Sequence, residues 1–202
     1  MSAKQETKSL ILDIAESAVL AKGFEATSIE EIAAAAEISR SGFFYHFKDK
    51  NELARAMIER YIENEDKLYN DLFDRARQLH DDPLHAMLIG LKLLAELLDD
   101  MPNGHPGCVI ASTTYQDRLF DAGVRELNRQ AILGWRKRFR GMFEEIAEAH
   151  PLRVEVNMDA LGDMVSSVVE GGLVLERALG EPRTVSSQIM HLRTYIRLLF
   201  LG

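Results

Sequence analysis

The chain has 202 residues, of which 47% are hydrophobic and 28% charged, and its formal net charge is −8. That length carries one large domain or a small domain joined to a medium one, with a substantial core. The acidic balance excludes a general polyanion binder, but it leaves room for a specific DNA binder, which needs only a local basic face.

Cys108 is the single cysteine, so no intrachain disulfide forms and a reducing compartment fits. The opening MSAKQETKSL has no apolar signal core. No window approaches the roughly 20 apolar residues of a membrane span. A cytoplasmic protein with no membrane partner is expected. Gly and Pro are sparse and strand-type alternation is hard to find, so the expected fold class is all-α.

The first helix is expected over residues 5–22, where Leu10, Ile11, Ile14, Ala15, Ala18 and Val19 recur at helical spacing. Gly23 is placed to end it in a left-handed conformation, and Phe24 folds back onto it. Thr27 and Ser28 can each cap a second helix, with Glu30 and Glu31 three residues on completing the capping pattern. A tight break at Glu37-Ile38-Ser39 follows. Ser39 then caps a short helix from Arg40 to His46, with Phe43 and Phe47 on its buried side. Asp49 caps a long helix from Lys50 to about Leu79, whose length suggests a strut.

Asp82-Pro83 restarts a helix that runs to Asp99, with Pro at the first position. MPNGHPG, residues 101–107, is the clearest loop. A short apolar helix over 108–116 and a long one over 121–149 follow, and Pro151 ends the latter. The last two helices are expected over 156–179 and 185–200. Both carry more apolar surface than one buried stripe needs, which points to a subunit interface. The face marked by Leu161, Val165, Val168 and Gly172, with Ile189, Leu192, Ile196 and Leu199 on the last helix, is the expected dimer contact.

The stretch from Thr27 to Leu53 has the pattern of a helix-turn-helix, with the motif at about 28–47. The second helix of such a unit needs small or polar residues where its backbone nears phosphate, and Ser39, Arg40, Ser41 and Gly42 supply them. It also needs donors for phosphates and base edges, which Arg40, Ser41, Tyr45, His46 and Lys50 provide. Lys50 opens the long helix, so its ammonium and the helix N-terminus are expected to address one phosphate together. Periodicity alone leaves a second reading open, a plain helical hairpin whose polar residues are merely solvated.

The residues themselves go further. T-S-x-x-x-I-A at Thr27–Ala33, I-S-R-S-G-F-F-Y-H-F-K-D-K-N-E-L at Ile38–Leu53, and the Gly23-Phe24 ending of the first helix resemble the DNA-binding domain of the TetR family of transcriptional regulators. The resemblance covers about residues 5–60. It implies a three-helix DNA-binding domain over 4–64, followed over 65–202 by a larger helical domain for ligand binding and dimerisation. The implied partners are a partly palindromic double-stranded DNA operator, a small-molecule effector and a second copy of the chain. The implied function is a ligand-released repressor, with an activator, a ligand-dependent co-repressor or an all-helical binding protein or enzyme as alternatives. Positions matching Thr27, Ser39, Arg40, Ser41, Gly42, Tyr45, His46 and Lys50 lie at or near DNA in that family, and Ser28 and Phe44 stand among them. Phe44 departs from a frequent Tyr and has no hydroxyl for a phosphate. Tyr45 or His46 is therefore expected to carry more of that contact.

No ligand residue carries over from the resemblance. Met87, Leu91, Tyr115, Trp135 and Phe139 are candidates for a pocket, because the middle helices should surround any cavity. His105-Pro-Gly-Cys108 offers two candidate metal ligands without a further cluster, so no metal site is expected. His80 and His85 flank an acidic turn and read as surface residues. Cys108 in an apolar stretch reads as buried and inert. There is no HExxH, Gly-rich phosphate loop or nucleophile motif, so neither catalysis nor a cofactor is expected.

Overall fold

The computed structural model describes residues 3–102 and 104–201, and the described residues are helical with no strand. The helices are α1 (Ala3–Lys22), α2 (Ile29–Ala35), α3 (Arg40–His46), α4 (Lys50–Leu79), α5 (Pro83–Asp99), α6 (Val109–Thr114), α7 (Ala122–Ala149), α8 (Met158–Leu179) and α9 (Thr184–Phe200), with a 3₁₀ turn at Asp117–Leu119. The boundaries follow local capping chemistry. Ser28, Ser39, Asp82 and Asn157 each accept a backbone N–H from the first turn of α2, α3, α5 and α8. Gly180 ends α8 at φ +66°, a left-handed conformation that glycine adopts without strain.

The chain forms two compact units. The first comprises Met1–Asn64 with Pro106–Ala131, and the second comprises Glu65–His105 with Ile132–Gly202. The segment 106–131 packs with the N-terminal helices. Gln116 Oε1 accepts N–H groups from Phe24 and Glu25 at 3.0 and 3.3 Å. The Phe24 and Phe120 rings lie 4.5 Å apart. Arg55 pairs with Asp121, and Asn51 Oδ1 accepts the Asp121 N–H.

In the second unit, α5, α8 and α9 share one core. Leu161, Val165, Gly172, Ile189, Leu192, Ile196 and Leu199 are all buried in it and Val168 is half-buried. These are the residues of the expected dimer contact, and in the single chain they pack largely against its own helices. The apolar side chains left exposed are others: Val174, Leu175 and Leu179 on α8, and Met190, Tyr195 and Leu198 on α9. Periodicity identified two apolar faces on these helices, but not which one the chain covers itself.

Gly172 marks the α8–α9 crossing. A Cβ there would lie 2.9 Å from Val185 Cα, which is backbone and cannot swing away. Gly172→Ala is expected to destabilise the chain by about 1–3 kcal/mol, the usual cost of overpacking. A chemical-denaturation midpoint equal to that of the parent would refute this packing.

Candidate nucleic-acid interface

The small core of the first unit is built from Ile11, Ala15, Val19, Ile32, Phe43, Phe47, Leu53 and Met57, all buried. Phe43 and Phe47 stack toward each other at 5.7 Å and fix the inner face of α3. Ile29 and Ile38 are half-buried.

The turn between α2 and α3 is a Schellman motif. Ile38 N–H donates to Ala33 O and Glu37 N–H to Ala34 O. Its left-handed position is held by Glu37 at φ +55°, where glycine is the usual occupant. The chain thus keeps a side chain at the position where the turn would favour none.

With Phe43 turned inward, α3 presents Arg40, Ser41, Phe44 and Tyr45 to solvent. Tyr45 is 67% exposed and Phe44 41%. Ser39 Oγ accepts the Gly42 N–H at 3.1 Å and lies 2.8 Å from Ser41 Oγ. Arg40 pairs with Glu30 at 3.4 Å in full solvent, and its guanidinium lies 5.7 Å from the Phe44 ring. Such an exposed pair contributes under about 1 kcal/mol, so Arg40 is readily released to another partner. A Cβ on Gly42 would make nothing closer than 3.4 Å, so internal packing does not demand glycine there.

The structure adds two cations that sequence reading passed over. Lys4 Nζ sits 4.6 Å from the Tyr45 ring centre, and Lys8 Nζ 5.4 Å from that of Phe47. Their spacing of four on α1 was visible in the sequence, but nothing local linked them to α3. His46 lies beside them. Its Nδ1 is buried and has no hydrogen-bond partner among the described residues. Burial first, and then the charges of Lys4 and Lys8, hold its pKa below the ordinary value of 6.5.

Three of the expected DNA contacts have partners within the fold. Lys50 Nζ donates to the Phe24 carbonyl at 2.9 Å and lies 4.4 Å from the Phe24 ring. Its ammonium is therefore engaged within the fold, and burial lowers its pKa. Thr27 is buried, and its hydroxyl donates to Gly23 O. Ser28 is exposed, but its Oγ caps α2 through Glu31 N–H. These three hold the corner that aims α3.

Of the pocket candidates, Met87, Leu91, Trp135 and Phe139 are buried in the second unit, with Phe139 edge-on to Tyr69 and Phe73. Tyr115 is corrected. It lies at the C-terminal end of α6, 82% exposed, and lines no core. Among the described residues no helix is long and apolar enough to cross a membrane.

Two short helices joined by a tight turn, the second with a polar and aromatic outer face, define a helix-turn-helix protein. Residues 11–57 match the family model described as bacterial regulatory proteins, tetR family. The regulator TtgR of Pseudomonas putida is 32% identical over 99 residues, 48% of this chain, and the match spans only 43% of that relative's length. A TetR regulator from Chloroflexus aurantiacus superposes with a TM-score of 0.79 at 25% identity, covering 99% of this chain and 98% of that one. A TetR-family regulator from Agrobacterium tumefaciens gives 0.80 at 19% identity, covering 98% and 99%, a likeness of fold. The chain belongs to the TetR family of transcriptional regulators.

Glu37→Gly is expected to raise stability by about 0.5–1 kcal/mol, since the left-handed strain removed exceeds the entropy glycine adds to the unfolded chain. A lower thermal midpoint would refute that reading of the turn. For His46, the folded chain resists protonation more than the unfolded chain does. Stability should therefore fall as pH drops through the ordinary histidine value, and keep falling until the lowered folded value is passed. His46→Gln should flatten this part of the stability–pH curve, and an unchanged curve would exclude His46 as its source.

Proposed function

We propose that the chain is a homodimeric repressor that binds a partly palindromic operator through α3 and is released by a small-molecule ligand. The observation that carries this reading is the outer face of α3. Arg40, Ser41, Phe44 and Tyr45 project from it, and Lys4, Lys8 and Lys48 extend its positive charge in an otherwise acidic chain. The lysines suit phosphates, which position the protein, while Arg40 and Tyr45 reach for base edges or sugars. Gly42 lets the α3 backbone approach the duplex.

Dimerisation is supported by the exposed apolar side chains of α8 and α9, led by Val174, Leu179 and Leu198. A two-fold dimer presents two copies of α3 to half-sites about one helical turn apart. The effector would bind among the apolar residues of the second unit, with Met87, Leu91, Trp135 and Phe139 as candidate contacts. Helix α4 has residues 50–64 in the first unit and 65–79 in the second, so a shift at one end is carried by a continuous helix. A ligand that weakens operator binding must bind the operator complex more weakly by the same factor.

Gel-shift titrations on the palindrome nearest the gene test the reading. Arg40→Ala should weaken binding on the order of tenfold or more. Lys4→Ala and Lys8→Ala should each lower the salt dependence of binding, by about one unit of slope for each phosphate no longer neutralised. Gly42→Ala is the sharpest case. It should stabilise the fold by up to about 1 kcal/mol, yet weaken DNA binding. Unchanged affinity in Arg40→Ala and Gly42→Ala, with the dimer intact by sedimentation, would remove α3 as the reading helix.

A further inference from the structure

We propose that His80, Asp82, His85 and His150 form a binding site for a divalent transition-metal ion of the zinc type. Ligand atoms of His80, Asp82 and His85 all lie within 4.8 Å of one another. The Asp82 carboxylate is the hub. Its Oδ1 is 2.8 Å from His85 Nδ1, and its Oδ2 is 2.6 Å from His150 Nε2. The His80 and His85 rings stack 4.5 Å apart, and His80 Nδ1 accepts the Asp82 N–H at 3.1 Å. All four residues belong to the second unit, from the residue after α4, the α4–α5 turn, the start of α5 and the residue after α7.

The donor set decides the class of ion. Three imidazoles and one carboxylate suit zinc, nickel, cobalt or copper, whereas magnesium and calcium prefer oxygen ligands throughout. A tetrahedral site with bonds of about 2.0–2.1 Å has ligand atoms about 3.4 Å apart. Among His80, Asp82 and His85 the distances bracket that spacing, His150 meets the group through Asp82 Oδ2, and the His85, Asp82 and His150 side chains are partly exposed, so side-chain rotations can close the set.

Capping alone does not account for the cluster. Asp82 caps α5 by accepting the His85 N–H at 2.9 Å, which needs one oxygen and no imidazole. The second oxygen is met by His150, which lies 68 residues away in sequence. The N-terminus of α5 disfavours a cation, but the carboxylate stands in between. Burial pulls the Asp82 carboxyl up. Hydrogen bonds from the His85 backbone and from the His150 and His85 rings outweigh that, so it stays ionised well below the usual carboxylate range. A bound ion would tie the ends of α4 and α7 to the start of α5 and stabilise the folded unit by mass action.

The purified full-length chain, stripped with chelator, is titrated with Zn²⁺ in competition with a chromophoric chelator, and with Co²⁺ as a spectroscopic probe. One ion per chain should bind with sub-micromolar affinity. Co²⁺ should give the visible bands of a tetrahedral nitrogen–oxygen site, and Zn²⁺ should raise the thermal midpoint where Mg²⁺ does not. Asp82→Asn keeps a capping oxygen but loses the charge, and His150→Gln keeps a polar side chain of similar reach. Each should weaken Zn²⁺ by more than about a hundredfold, since losing even an outer-shell partner costs about 10–100-fold. His191→Gln, on the exposed face of α9, is the control and should bind as the parent does. Millimolar binding only, an equal response to Mg²⁺, or parental affinity in well-folded Asp82→Asn and His150→Gln would overturn the site.

Discussion

The corner at Phe24 leaves α1 with backbone groups that no helix can satisfy, and side chains from far along the chain meet them. Gln116 takes the N–H, Lys50 donates to the carbonyl, and the ring is flanked by Lys50 and Phe120. Gly23 makes the corner possible. It sits at φ +84°, and a Cβ there would press to 2.6 Å on the Gln116 amide. The aim of α3 depends on this corner, because α2 starts only a few residues later and has little core of its own. The cation that looked made for a phosphate serves here as a structural tie. A hydrogen bond from a charged group to a carbonyl contributes more than a neutral one, so the position is well used without DNA.

Much of the fold was legible because its signals are local. Ser39, Asp49 and Asp82 are caps, and a cap is decided within four residues. The boundaries of α3, α4 and α5 therefore fell where the sequence places them. Phe43 and Phe47 were readable as the inner face of α3 for the same reason, since their spacing of four lies on one side of a helix. Pairings that join distant segments were not legible. Lys4 beside Tyr45, Gln116 under Phe24, and His150 against Asp82 each require the tertiary fold before the two residues meet. The histidines at 80 and 85 are exposed, as their acidic turn suggests, and only the fold brings His150 to the same Asp82.

The last two helices carry the same lesson in apolar residues. A helix with two apolar faces gives no internal sign of which face meets its own chain. The more regular stripe, through Leu161, Val165, Ile189 and Ile196, went to the core shared with α5. Regular spacing is what close packing against a neighbouring helix selects, whereas a face that meets another subunit tolerates breaks such as Glu170 and Arg197. The less tidy face is thus the better place to look for a partner.

Phe44 shows how a departure from a family pattern can be compensated within the same turn. The ring sits edge-on to Phe43 at 5.6 Å, which holds it at the surface instead of letting it fold into the core. Arg40, one turn earlier, lies over that ring. A phenol there would offer a phosphate one hydroxyl. The phenyl ring instead offers the guanidinium a surface, and an arginine held against a ring loses less freedom when it meets an anion. The acid beside it, Glu30, is on α2 and exposed, so its hold on Arg40 weakens with salt and leaves the guanidinium open to another anion. Phe44 therefore bears on α3 by orienting the arginine one turn before it.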